Sequence, residues 1–317
     1  MQNEFLMHSV LLVAASHLQH LQPSENRHRK VALEHLSQTL PSFRNALAAL
    51  PVRRWDSADA LLACSMLILQ YSWEFNRSTI QDANPNPEGF GSLLGLYSGL
   101  RYIVFEIIDG RSGSRFDSML TYSPRLKIES YFEDSNLPSE VEVFFGHCLT
   151  CTKISDNKNK NMSGCVDAAR RLIPILCALK LGRRCLEASG LILDVARYLF
   201  AWPNLLSDDF IHLVKMNDES SQVVLLYYFA AVLSIRSERF WWMRDRSVYM
   251  CDTILLRLGD RCDKCTGWAR ELISRKDDLE WHQSTLLAEE VDNNAIYDFI
   301  KLDARPRWHV STFESQE

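Results

Sequence analysis

Ser57-Ala58-Asp59-Ala60-Leu61-Leu62-Ala63-Cys64-Ser65-Met66-Leu67-Ile68-Leu69-Gln70-Tyr71 is apolar nearly all round. A helix with an apolar stripe lies against a core, whereas one that is apolar on every side lies within it. This stretch therefore predicts a helix buried in the middle of a bundle. Working upstream, Leu33, Leu36, Leu40, Phe43, Leu47 and Leu50 recur in steps of three and four, which predicts a second helix. Pro41 lies inside that stripe and predicts a kink or a restart, because proline removes an intrahelical donor. Phe5, Val10, Val13, Leu18 and Leu21 mark a helix from about Glu4 to Leu21, stopped by Gln22-Pro23-Ser24. Two helices joined by a short polar turn read as a helical hairpin.

Downstream, Asn76 to Gly91 reads as a loop with Asn84-Pro85-Asn86-Pro87 as its turn signal, followed by a helix from Ser92 to Ile108. The stretch from Asp109 to Pro138 is mixed and reads as irregular. Ser139 with Glu142 makes a capping box for a helix reaching Lys153. The polar run Ser155-Asp156-Asn157-Lys158-Asn159-Lys160-Asn161 is the best internal boundary, placed at 155–163. Further helices are expected at about 165–180, 184–200, 207–215, 218–236, 239–258, 266–282 and 285–301. No run alternates with the period of a strand, and no fixed repeat emerges. With only 12 Gly and 10 Pro in 317 residues, the chain is poor in the residues that sheets and barrels spend on turns. The expected fold is all-α, a multi-helix bundle of antiparallel helical hairpins. A single helical domain is expected over 1–303, with a C-terminal tail over 304–317.

The net charge of −5 gives no reason to expect contact with nucleic acid. The longest purely apolar run, Val223 to Leu233, is shorter than the ~20 residues a spanning helix needs. Met1-Gln2-Asn3-Glu4 lacks the positive region of a signal peptide. The 9 Cys are odd in number and scattered through apolar stretches, which argues for a reducing compartment over a disulfide scaffold.

Each chemical motif meets a plainer alternative. Cys148/Cys151 and Cys262/Cys265 are two Cys-x-x-Cys pairs, but they are far apart in the chain and lack His at finger-like spacing. They read as small buried or surface thiols, with no metal ligand among them. Asp277-Asp278-Leu279-Glu280 and Asn217-Asp218-Glu219-Ser220-Ser221 are the nearest approach to the magnesium motifs of a terpene cyclase. Leu225 stands where the second motif needs a carboxylate, and the order of the two is reversed. Asp208-Asp209 reads instead as a helix N-terminus. There is no nucleophile elbow, phosphate loop or Gly-x-Gly-x-x-Gly, so no catalytic residue is assigned. His17 and His20 share a helix face and read as solvated or packed. Arg27-His28-Arg29-Lys30 and Arg183-Arg184 read as solvated helix ends. The aromatic cluster Tyr227-Tyr228-Phe229 with Phe240-Trp241-Trp242, ringed by Arg236, Arg239, Arg244 and Arg246, fills a core between two helices or lines an apolar ligand cavity. Tyr227, Tyr228, Phe240, Trp241 and Trp242 are accordingly the candidate ligand-binding residues.

Several stretches resemble one family. Phe5-Leu6-Met7-His8-Ser9-Val10-Leu11-Leu12-Val13-Ala14-Ala15-Ser16-His17-Leu18 is similar to the opening of the regulatory domain of fungal zinc-cluster transcription factors, particularly the sterol uptake control regulators. Ala32-Leu33-Glu34-His35 through Leu40-Pro41-Ser42-Phe43-Arg44-Asn45-Ala46-Leu47 is similar to the helix that follows there, and Asp59-Ala60-Leu61-Leu62-Ala63-Cys64-Ser65 also fits. Trp202-Pro203 with Phe210, Val223 to Ala230, and Phe240-Trp241-Trp242 extend the resemblance, which covers about Phe5 to Leu258. The resemblance implies an all-helical effector domain of a nuclear transcription regulator, not an enzyme, with an apolar, sterol-like ligand, a homodimer and the transcription machinery as partners. It also implies that zinc belongs to the binuclear six-cysteine DNA-binding cluster, which this chain does not contain, so no cofactor is expected here. Glu289-Glu290-Val291-Asp292 through Tyr297-Asp298-Phe299-Ile300 mixes acidic and apolar residues as activation segments do, or as an ordinary amphipathic helix does. A helical isoprenoid enzyme and a ligand-free interaction scaffold are the competing classes.

Overall fold

The computed structural model describes residues 3–48, 55–74, 88–109, 114–151, 162–235, 240–259 and 262–274. Among them 86% are helical and no strand occurs, so the expected all-α multi-helix bundle is the fold. The helices are α1 (Glu4–Leu21), α2 (Asn26–Ala48), α3 (Trp55–Trp73), α4 (Glu88–Asp109), α5 (Asp117–Thr121), α6 (Pro124–Ser130) and α7 (Leu137–Thr150). They continue as α8 (Ser163–Lys180), α9 (Arg183–Ala188), α10 (Ile192–Ala201), α11 (Asp208–Lys215), α12 (Glu219–Ser234), α13 (Trp241–Leu258) and α14 (Asp263–Ser274). A short 3-10 turn, Trp202–Leu205, follows α10.

Sequence neighbours pack as hairpins: α1 on α2, α3 on α4, α7 on α8 and α12 on α13. At the α1–α2 turn the Gln19 side chain serves both helices. Its Nε2 donates to the Pro23 carbonyl at 2.9 Å, and its Oε1 accepts the Arg29 backbone N–H at 3.0 Å. That second bond satisfies one of the donors that every helix start leaves open. Helix α2 runs on through Pro41 without a restart.

Helix α12 holds the centre. Every side chain from Ser220 to Leu233 is buried, and α7, α8, α10, α11, α13 and α14 all pack against it. The stretch over 57–71 forms α3, which packs against α1, α2, α4 and α13 and exposes none of its described side chains. It is one arm of the α3–α4 hairpin, with the α1–α2 hairpin and α13 against it, while α12 is surrounded by six helices. Arg246 of α13 ties the two regions together, donating to the carbonyls of Ser72 and Trp73 at 2.9 and 3.4 Å. A cation at the last carbonyls of α3 is favoured by the helix dipole as well as by the hydrogen bonds.

Some local readings change. The stretch 109–138 contains α5 and α6, the latter opened by Ser123, whose Oγ accepts the Leu126 N–H, with Pro124 in the first turn. Helix α7 starts at Leu137, ahead of the expected capping box, and the Ser135 Oγ accepts the Leu137 N–H. It ends at Thr150, short of Lys153. Glu88 to Gly91, expected as loop, open α4. The helix expected over 184–200 is two helices, because Gly190 at φ +72° turns the chain between α9 and α10. The boundary run 155–161, the helix expected over 285–301, the Asp277–Glu280 motif and the tail lie outside the described residues.

Candidate functional site

The sequence motifs sort into capping groups, core groups and one cluster of donors. Asn217-Asp218-Glu219-Ser220-Ser221 is the α11–α12 junction. Asn217 adopts φ 55° just past α11, and the Asp218 and Asn217 N–H groups donate back to the carbonyls of Leu213 and Val214. This left-handed cap closes α11. Asp218 then caps α12, its Oδ1 accepting the N–H groups of Ser220 and Ser221 at 3.1 and 3.2 Å. The carboxylate that a magnesium motif would offer is thus used on backbone. Asp208 and Asp209 open α11 beside the Ser207 cap, as their spacing suggests.

The five candidate ligand-binding residues do not share one pocket. Tyr227 is fully buried; its hydroxyl donates to the Cys265 carbonyl at 2.9 Å, and its ring meets Phe144, Phe145 and Trp268. Tyr228 points elsewhere in the core. Its hydroxyl donates to the Leu199 carbonyl at 3.3 Å, and its ring stacks on Trp202 with centroids 4.5 Å apart. Burial pushes both phenols well above the usual tyrosine range, so they serve as neutral donors. Trp241 stacks instead on His17 and His20 of α1, at 5.1 and 4.9 Å. Those two histidines are exposed overall and touch α13 through that ring. Phe240 and Trp242 pack edge to face at 5.6 Å. Of the five, only Phe240 lines the hollow formed with Ala196, Leu199, Val232, Ile235 and Met243. That hollow has room for about one water, against the roughly 300–1,000 Å³ of a small-molecule site. Arg236 and Arg239 lie outside the described residues.

The two Cys-x-x-Cys pairs, 111 residues apart in the chain, come together. His147 and Cys151 sit one turn apart at the end of α7, while Cys262 precedes α14 and Cys265 lies in its first turn. One donor atom from each of these four lies within 4.8 Å of every other, and Cys151 Sγ is 3.6 Å from Cys262 Sγ. Cys262 and Cys265 are buried, and His147 and Cys151 are half-buried. Burial works against ionisation of Cys262, but hydrogen bonds from Cys265, Cys151 and the backbone outweigh it and set its thiol below the usual range. Cys265 is raised, chiefly by burial and then by Cys262. Cys148, one residue from His147 and fully buried beside Cys265, is pushed up to about 12, chiefly by burial. The two pairs, separate in the chain, thus share one cluster of free, buried or half-buried thiols. His147 four residues before Cys151 marks one half of the cluster in the sequence, and nothing in the chain marks its meeting with Cys262 and Cys265.

None of the described helices is long and apolar enough to cross a membrane. Comparison of the chain with protein-family models, with curated proteins and with solved structures finds no match.

Proposed function

We propose that the chain is the helical regulatory domain of a transcription regulator of the fungal zinc-cluster type, acting in the nucleus without catalysis. One observation supports this reading above the others: residues of the resembling motifs, spread over most of the chain, pack on one another. His8 and His35, one from each of the first two motifs, meet with Nδ1 atoms 3.0 Å apart. The Phe5 ring meets Phe43, and the Phe5 carbonyl faces the Cys64 thiol of the third motif. Trp202 packs edge to face on Phe210 and flat on Tyr228, joining two later motifs. Residues that specify one packed structure are expected to be recognisable together, since each is constrained by the others.

The mechanism proposed is a population shift between two packings of the bundle, one of which accepts a sterol-like apolar ligand. In the closed packing the hollow beside Phe240 and Met243 has room for about one water. A ligand-accepting packing therefore requires these side chains to withdraw from Leu199 and Val232. The ligand would then alter dimerisation or exposure of a surface that engages the transcription machinery.

The test fuses the whole chain to a heterologous DNA-binding domain and reads a reporter in fungal cells with normal and depleted sterol. Reporter output that depends on the fusion and changes with sterol is the expected result. Output indistinguishable from the DNA-binding domain alone would overturn the regulator reading. Magnesium-dependent turnover of a prenyl diphosphate by the purified chain would replace it with the isoprenoid-enzyme reading.

A further inference from the structure

We propose that His147, Cys151, Cys262 and Cys265 bind one zinc ion, a structural site that clips the end of α7 to the start of α14. The site stands on geometry alone and is independent of the regulator reading; either can fail without the other.

The donor set and its spacing carry the inference. Structural zinc takes four ligands in a tetrahedron, with Zn–S of about 2.3 Å and Zn–N of about 2.0–2.1 Å, so neighbouring donors lie roughly 3.5–3.8 Å apart. Cys151 Sγ and Cys262 Sγ already stand 3.6 Å apart, and no donor pair of the four exceeds 4.8 Å. Bringing a pair at 4.8 Å to that spacing requires at most about 0.7 Å of movement from each donor atom. Three thiols and an imidazole suit a borderline-soft ion such as zinc, whereas magnesium and calcium require oxygen ligands.

The backbone presents the donors as two prepared halves. His147 lies in the last turn of α7 and Cys151 is the residue just past its end, so both donors stand at that helix terminus. Cys262 and Cys265 straddle the start of α14, where the N–H groups of Cys265 and Thr266 bond the Cys262 carbonyl at 3.0 and 3.1 Å. A thiolate is favoured at such a helix start. The Tyr227 hydroxyl fixes the Cys265 carbonyl from the core, the kind of outer contact that orients a metal ligand.

Four protein ligands leave no open coordination position, so the role is structural rather than catalytic. On binding, Zn²⁺ displaces three thiol protons to solvent. It is left bound to three thiolates and one neutral imidazole, with a net charge of −1 and no electron transferred. The ion would join two segments 111 residues apart in the chain. Since the unfolded chain has no such site, the binding free energy would count toward folding of the α7–α14 region.

The test measures metal content of the full-length chain purified under reducing conditions without chelator. One zinc per chain is expected, falling at least about tenfold in Cys151→Ser, Cys262→Ser and His147→Ala while Cys148→Ala and Cys185→Ser keep it. Because a ligand variant can fail to fold, the wild-type chain is also stripped by a chelator and refilled with Co²⁺. The visible bands of tetrahedral, thiolate-bound cobalt, lost on adding Zn²⁺, are expected. A chain that folds metal-free and gives no such bands overturns the proposal, as does a Cys151–Cys262 disulfide in the protein kept under reducing conditions. Retention of zinc in His147→Ala but not in Cys148→Ala would overturn the assignment of the fourth ligand.

Discussion

The ring of Tyr228 lies on the indole of Trp202 with centroids 4.5 Å apart and planes 19° from parallel. Both are fully buried, and each polar tip is spent on backbone: Tyr228 on the Leu199 carbonyl and Trp202 Nε1 on the Ala168 carbonyl. The pair therefore acts as a post joining α8, α10 and α12. Trp202→Ala should destabilise the fold by about 3–5 kcal/mol, as large-to-small changes in close-packed cores do. Tyr228→Phe keeps the ring and should lose only about 0.5–1.5 kcal/mol. Urea unfolding of the two variants checks the ratio; equal effects would show the ring stack contributes little.

Gln222 is the one amide on α12, and it is buried there. It is 3% exposed, and neither its Oε1 nor its Nε2 has a hydrogen-bond partner among the described residues. Leaving such groups dry costs about 1–3 kcal/mol. Gln222→Met, close in volume, should raise the urea midpoint by an amount worth about 1 kcal/mol or more. A lowered midpoint would mean that the amide has a partner, such as a bound ligand or a second chain.

Gly164 of α8 lies close against the backbone at the start of α11. A Cβ placed there would stand 2.8 Å from the Phe210 backbone nitrogen and 3.2 Å from the Asp209 carbonyl carbon. Backbone cannot swing aside as a side chain can, so Gly164→Ala should cost about 1–3 kcal/mol despite alanine's better helix propensity. At Gly146, where a Cβ meets nothing within 4 Å, the same change should be neutral or stabilising. Thermal unfolding of the two variants side by side separates the effects.

Asp194 should make stability depend on pH in acid. The residue is 2% exposed, yet it accepts from Tyr122 at 2.7 Å and pairs with Lys127 at 2.8 Å and Arg197 at 3.5 Å. Burial alone would raise its pKa, but the hydrogen bonds from Lys127 and Tyr122 and the two cations win, and the carboxyl ends below its ordinary value. A group depressed in the folded state contributes its full stability above its unfolded pKa of about 3.9 and loses it as pH falls through the lower folded value. Asp194→Asn should therefore flatten the loss of stability below about pH 4 while lowering the plateau near neutrality. An unchanged acid limb would assign that limb to other carboxylates.

The fold class was legible because it rests on local periodicity. Stripes such as Leu33-Leu36-Leu40-Phe43 and runs apolar nearly all round such as 57–71 and 223–233 favour helices whatever the partners, although in α2 the buried positions are Ala32 and Thr39 and Leu33 stays exposed. Most helix positions follow, since caps and breakers such as Pro23 and Asp208 act within one turn. Gly190 escaped because a left-handed turn is a property of backbone conformation that glycine permits without requiring.

What the sequence by itself determined is therefore the helical class and most of the long helices, but not always the face each one buries: in α1 the expected Val10, Leu18 and Leu21 stay exposed while Ser9, Leu12 and Ala15 turn inward. Which side chains meet across those faces was decided only by the tertiary structure. The tyrosines at 227 and 228 look alike in the chain, but the helix turns them about 100° apart, one toward Cys265 and the other toward Trp202. His147, Cys151, Cys262 and Cys265 carry no joint pattern along the chain, because their closeness comes from α7 and α14 packing on each other and on α12. Periodicity reports that a segment is helical, whereas a site needs several faces at one point, and that is settled by how the whole core packs.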